Sequence, residues 1–219
     1  MLLTHLDGFD AQVSMESPSS ANRVETISGR LLGQSGKLLF SPVAGTLPGK
    51  IARVARLSFL WDTAQNSGQL LSEGMQGYAP IVSSLRFTNL VAKAVPERAE
   101  PQQIAGHPCL QEDVTITSSD GSEAVFQVWR ATDLKGLPIR IQSASNFRPF
   151  TLTLTRVRLG NLPNEFFLPP DGFSKFSNPE AMMDELASRQ QNAKRSKTHS
   201  IDNPGDLGGP EGHRSTPEH

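Results

Sequence analysis

Phe150-Thr151-Leu152-Thr153-Leu154-Thr155 is followed, six residues on, by Asn161-Leu162-Pro163-Asn164-Glu165-Phe166-Phe167-Leu168-Pro169-Pro170-Asp171-Gly172-Phe173. The first stretch alternates large apolar residues with threonines. An extended strand turns that period of two into one dry and one wet face. Threonine is β-branched and suits a pleated, partly solvated surface. The second stretch, rich in proline and closed by Gly172-Phe173, ends the strand region. The spacing predicts one long strand over Asn146 to Gly160.

Working outward, the same period recurs upstream. Leu137 to Ser143 carries Pro138, Ile139 and Ile141, and Glu123 to Ala131 carries Phe126, Val128 and Trp129. Gln111 to Ser118 alternates Val114 and Ile116 with threonines. Ser119-Asp120-Gly121-Ser122 reads as the hairpin turn joining the last two, and Thr132 to Gly136 as a loop. Nearer the start, Phe9, Ala11, Val13 and Met15 alternate with Asp10, Gln12, Ser14 and Glu16. Ser17 to Asn22 is turn chemistry, and a second strand is expected over Arg23 to Leu32. Gly33-Gln34-Ser35-Gly36 signals a hairpin that returns through Lys37 to Phe40. Pro42 to Lys50 reads as a loop. Leu57, Phe59 and Trp61 make a further strand, Asn66-Ser67-Gly68 a turn, and Gln69 to Ser72 a strand pairing back. Gly74 to Pro80 reads as irregular, Ser84 to Lys93 as a short helix by a narrow margin, and Pro96 to Pro101 as a charged loop.

Two ends differ from this pattern. Leu2, Leu3 and Leu6 fit a last helical turn that Gly8 stops. Ser177-Asn178-Pro179-Glu180 is a helix start, with a capping Asn, Pro at the first helical position and an acid near the positive dipole end. Met182 or Met183 with Leu186 then gives an apolar stripe for a short docking helix. From 188 to 219 large apolar residues are almost absent, so a disordered polar tail is expected. The fold class is mainly β (α+β): a single antiparallel sheet of about eight to ten strands, wide enough to curl, with few helices. Leu57 to Trp61 and Val125 to Trp129 are apolar on both faces. A curled sheet has a concave face to be filled by helices or by a ligand.

Composition narrows the chemistry. Across 219 residues the formal net charge is −1, so there is no basic excess to neutralise phosphates and nucleic acid is not an expected partner. Cys109 is the only cysteine, which excludes an intrachain disulfide and any multi-cysteine metal site. It reads as a small buried residue. His107-x-Cys109 with Glu112 and Asp113 fits no zinc spacing; as a nucleophile pair, His107 and Cys109 share one strand face but would need an orienting third group and an oxyanion site. Gly29 to Gly36 lacks the Gly-Lys-Ser/Thr ending of a phosphate loop, and no Gly-x-Ser-x-Gly elbow is present. No stretch approaches the roughly 20 apolar residues of a membrane span. The expectation is a non-catalytic protein with no cofactor and no metal. Phe59, Trp61, Phe126, Trp129 and Phe150, with Leu152 and Leu154, are the candidates for an apolar lining. An ordinary sheet core explains the same residues.

The order of motifs resembles a known group. Gly29-Arg30-Leu31-Leu32-Gly33-Gln34-Ser35-Gly36-Lys37 is followed by Ser58-Phe59-Leu60-Trp61-Asp62 and Gly77-Tyr78-Ala79-Pro80. Then come Gly106-His107-Pro108-Cys109, Val114-Thr115-Ile116, Val128-Trp129-Arg130-Ala131, Leu137-Pro138-Ile139-Arg140 and Phe166-Phe167-Leu168-Pro169. This succession, over roughly Phe9 to Leu186, is similar to the outer-membrane lipoprotein carrier (LolA-like) superfamily and its uncharacterised bacterial relatives. The resemblance implies a half-open β-barrel domain over 1–187, with helices over a concave apolar face that receives acyl chains. It implies a monomeric, exported protein of the periplasm or cell envelope whose signal peptide has been removed. The partners it implies are a lipid or acylated lipoprotein and, beyond those, an envelope protein. Each methylene sequestered there contributes about 0.8 kcal/mol. No motif singles out one of Arg23, Arg30, Arg53 and Arg56 as the family's lid-locking arginine. The alternative is a structural or interaction module with a filled core.

Overall fold

The computed structural model describes residues 3, 8–18, 23–47, 56–81, 91–96, 100–117, 121–143 and 149–199, without the side chains of 91–96, 194 and 196–199. Its strands are β1 (Phe9–Pro18), β2 (Val24–Gln34), β3 (Lys37–Pro42), β4 (Leu57–Asp62), β5 (Ser67–Ser72) and β6 (Gly77–Ile81) in the first half. The second half holds β7 (Val91–Pro96), β8 (Gln102–Ile104), β9 (His107–Thr117), β10 (Glu123–Ala131), β11 (Leu137–Ser143), β12 (Thr151–Leu159) and β13 (Ser174–Lys175). Among the described residues one α-helix, α1 (Pro179–His199), follows. Among the described residues the strands form one sheet in the order β13-β6-β5-β4-β3-β2-β1-β12-β11-β10-β9-β7, with β8 branching onto β9. β13 and β7 end the path and do not pair with each other, so the sheet is open.

Every pairing is antiparallel except that of β13 with β6. The hairpins are tight where the sequence supplies a left-handed pair: Ser35-Gly36 (φ 49° and 81°) joins β2 to β3, and Ala105-Gly106 (φ 51° and 89°) joins β8 to β9. β1 pairs with β2 and β12, which brings the two ends of the strand region together at the middle of the sheet.

The core is built on both faces. Phe9, Ala11, Val13, Leu31, Trp129, Leu137, Ile139 and Leu154 form the largest cluster. Met182 and Leu186 of α1 cover Leu70, Met75 and Ala79, with Phe59 packed alongside. On the other face of the same strands Phe167 covers Leu32, Leu60 and Leu71. The chain therefore crosses one face at Leu162–Phe167, pairs with β6 through β13 at the edge, and lays α1 on the opposite face. Half-buried Phe59 and buried Leu60, neighbours on β4, meet different covers, which accounts for a strand apolar on both sides.

Four expectations need correction. Gly74 to Pro80 is not irregular: the turn ends at Gln76 and Gly77–Ile81 is β6. Pro80 fits because β13 pairs only with Gly77 and Tyr78. Tyr78 turns its carbonyl outward to Phe176, and Pro80, two residues on, turns its missing N–H toward the same, open edge. Val91–Pro96 is a strand, not helix, because it pairs with Glu112–Thr117 of β9; Ser84 to Leu90 lie outside the described residues. Pro101 leads directly into β8, a strand hidden by its brevity. The β4–β5 turn lies at Thr63–Asn66, not Asn66–Gly68, since the Asp62 carboxylate accepts from the N–H of Ala64 and Gln65 and closes the turn earlier.

Two boundaries also move. β12 begins at Thr151, and 144–148 lie outside the described residues. α1 starts where expected, with Asn178 Oδ1 accepting from the Ala181 N–H at 2.7 Å. It continues to His199, beyond the position at which the polar tail was expected to begin. Residues 200–219, the Ser119-Asp120 part of the β9–β10 turn and Leu2, Leu6 and Arg53 lie outside the described residues.

Candidate apolar binding face

Antiparallel pairing places Phe126 and Val128 of β10 beside Val114 of β9 and Ile141 of β11. Val114, Val128 and Ile141 are buried, and Ile116, Phe126, Phe150 and Leu152 pack against them while staying partly exposed. The Phe126 and Phe150 rings lie 6.2 Å apart at 50°, within the range of favourable tilted aromatic pairs. This half-buried patch lies toward the β7 end of the sheet, away from the end that α1 covers.

The other candidate lining residues lie elsewhere. Trp129 (7% exposed) and Leu154 (0%) are interior to the largest cluster, and Leu152 bridges that cluster and the patch. The Trp129 Nε1–H donates to Gln102 Oε1 at 3.3 Å, and the Arg140 guanidinium lies 5.8 Å above its ring. Phe59 stacks on Phe40 with ring centres 6.2 Å apart, beside the α1 contact. Trp61 faces Gly68 across β4 and β5, its ring over the bare backbone. The seven residues thus divide between one partly open patch (Phe126, Phe150, Leu152), the interior (Trp129, Leu154) and the α1 end (Phe59, Trp61).

The polar groups around Cys109 form a structural knot. His107 Nδ1 lies 2.9 Å from Asp133 Oδ2, so the imidazole does have an orienting carboxylate. The Cys109 thiol instead donates to the His107 carbonyl at 3.4 Å. Burial pushes the thiol's pKa up, and the Asp133 charge pushes it further. A thiol held in its protonated form is a poor nucleophile. Among the described residues no group of three His, Cys, Asp or Glu is placed to hold a metal ion, and no helix is long and apolar enough to cross a membrane.

No family model matches the chain, and no curated protein matches it either. Solved structures do. The chain is similar to a LolA superfamily protein. That protein, from Nitrosomonas europaea, is 10% identical with a TM-score of 0.43, over 76% of this chain and 92% of that one. A DUF1329 family protein from Desulfovibrio piger is 10% identical with a TM-score of 0.42, over 75% and 90%. A structure of PNGF-II is 12% identical with a TM-score of 0.43 over 80% of this chain, which spans 32% of that protein's length.

The signal missed in the sequence was polar. Arg30, one of four undistinguished arginines, is set apart by a two-pronged contact to Asp10, with Nε to Oδ1 at 2.9 Å and Nη2 to Oδ2 at 3.0 Å. Arg56 lies in a looser pair with Glu73 at 3.9 Å. The period-two pattern assigns Asp10 to the wet face but cannot name its partner on β2.

Proposed function

We propose that this protein shelters the apolar chains of a lipid or an acylated lipoprotein against Phe126, Phe150 and Leu152, as an exported, non-catalytic carrier of the cell envelope. The observation that supports it is the patch itself. Large apolar side chains stay half-buried on an open sheet whose other end is closed by α1. Burial of alkyl chains is non-directional and grows by about 0.8 kcal/mol per methylene, so such a face needs no cofactor and no polar anchor. In this reading Trp129 and Leu154 are scaffold under the patch, and Phe59 belongs to the closed end.

A second reading has its own support. Phe9, Leu137, Ile139 and Leu154 are fully buried, so the centre of the sheet is filled by side chains. An interaction module with a filled core would use the patch to meet a protein partner of the envelope instead.

Organic extraction of the purified protein followed by mass spectrometry separates the two, together with titration by an apolar fluorescent probe. The carrier reading expects an extracted lipid or acyl peptide, saturable probe uptake, and loss of that uptake in a folded Phe126→Asp variant. A blank extract with no saturable uptake, before and after incubation with membrane vesicles, favours the interaction module. Trp129→Asp is unsuitable as the probe variant, since a charge at a site 7% exposed would unfold the core before it reported on binding.

A further inference from the structure

A trough lies on the polar side of β1, opposite the core-facing Phe9 and Ala11. It encloses about 740 Å³ and is lined by groups including Asp10, Arg30, Arg156, Arg158, Ser28 and Thr155. Its floor is the β2-β1-β12 ladder, where Asp10 pairs directly with Arg158 and Gln12 with Arg30.

Three guanidiniums share this trough with one carboxylate. Arg30 grips both Asp10 oxygens, and Arg158 Nη2 donates to Oδ2 at 3.1 Å. Asp10 is thus taken up by two arginines, while its side chain is only 15% exposed and that of Arg158 is 82% exposed. Arg158 has further N–H groups directed to solvent. Arg156 makes no hydrogen bond or ion pair among the described residues, and it stands at the register shift between β1 and β12 with φ 50°. An extra residue in a strand re-aims its side chain, and bulges recur beside binding sites. Positive charge therefore exceeds negative in a concave space edged by hydroxyls.

We infer that this trough is a binding site for a phosphate-bearing ligand, held by the guanidiniums of Arg156 and Arg158 with Arg30 positioned by Asp10. Guanidinium forks match the oxygens of a phosphate, and charge-assisted bonds of this type are the strong ones. The volume falls within the range of small-molecule sites, roughly 300 to 1,000 Å³, so the phosphate carries a body larger than itself. A phospholipid headgroup and a soluble phosphate ester offer the same chemistry. The site is on the opposite side of β1 from the core, and it stands or falls independently of the apolar-chain reading.

The test follows the arginine side-chain Nε–H signals by NMR during titration with inorganic phosphate, with chloride at matched ionic strength as control. Cosedimentation with phosphatidylglycerol-containing vesicles against phosphatidylcholine-only vesicles runs beside it. The expected result is a saturable shift at Arg156 and Arg158 with phosphate alone. Binding should be about tenfold weaker or more in Arg156→Gln, the loss of one charge-assisted bond. Arg156 is exposed, so circular dichroism of the variant should match the parent. Sedimentation with the anionic vesicles, lost in the variant, names a headgroup as the source; phosphate binding without sedimentation names a soluble ester. Equal response to chloride and phosphate, or binding unchanged in Arg156→Gln, overturns the site.

Discussion

Asp10 sits between two guanidiniums on the wet side of a strand whose dry side is core. The Arg30 hydrogen bonds, chiefly, hold its carboxyl below the usual carboxylate range, with the Arg158 charge adding and burial opposing. The same contact raises Arg30. A carboxylate whose pKa is depressed by folding contributes stability that is fully present above the unfolded value, about 3.9, and is lost as pH falls through the lower folded value. Asp10→Asn is expected to cost about 1 kcal/mol at neutral pH, the scale of a partly exposed ion pair. Urea unfolding at a series of pH values checks it. The gap between parent and variant should close as the acid limb is descended, and a gap independent of pH would rule out this linkage.

At the scale of elements, two glycines act as seats for aromatic rings. Phe9 of β1 faces Gly33 of β2, and Trp61 of β4 faces Gly68 of β5. A Cβ on Gly33 would come 2.2 Å from the Phe9 ring, and one on Gly68 2.3 Å from the Trp61 ring. Each ring lies on the backbone of its partner strand, a cross-strand pairing that pins register. Gly33→Ala is expected to destabilise by about 1–3 kcal/mol through overpacking at Phe9, read as a lowered urea midpoint with an unchanged slope. No loss of stability would mean that the ring can move aside. The hairpin signal around Gly33 was legible in the sequence, but the turn itself is Ser35-Gly36. Gly33 is strand, and only the position of Phe9 across the ladder reveals its purpose.

On the scale of the whole molecule, an open sheet must cover two faces near its β13 end, and the C-terminal segment covers both. Leu162 donates its N–H to Gln34 Oε1, Phe167 closes one side, and Met182 (0% exposed) and Leu186 (4%) close the other. Ending the chain at Ser177 should leave the Phe167 contact in place while baring Leu70, Met75 and Ala79. The loss of two buried apolar side chains predicts about 3–6 kcal/mol less stability and increased binding of an apolar dye, measurable by thermal unfolding and fluorescence. A truncated chain with unchanged Tm and dye binding would show that α1 is not part of the core.

Period-two alternation by itself determined most of the strands: β10 and β11 carry the bounds read from sequence, and β1, β4, β9 and β12 lie within a few residues of them. Capping chemistry determined the helix start at Asn178, because a cap is a local matter of one carboxamide and one N–H. Alternation reports that a strand has two faces, so Phe59, Phe126 and Trp129 were legible as apolar-facing residues. It does not report what lies over each face. Strand pairing, loop crossing and helix docking decided that Trp129 is interior and Phe126 half-open, and they brought Asp10, Arg30, Arg156 and Arg158 to one trough. Those relations join residues as far apart as Asp10 and Arg158, and no local preference encodes contacts across that separation. β6 and β7 were misread for the same reason: a proline and a weakly alternating segment become strands only once a neighbour supplies the ladder.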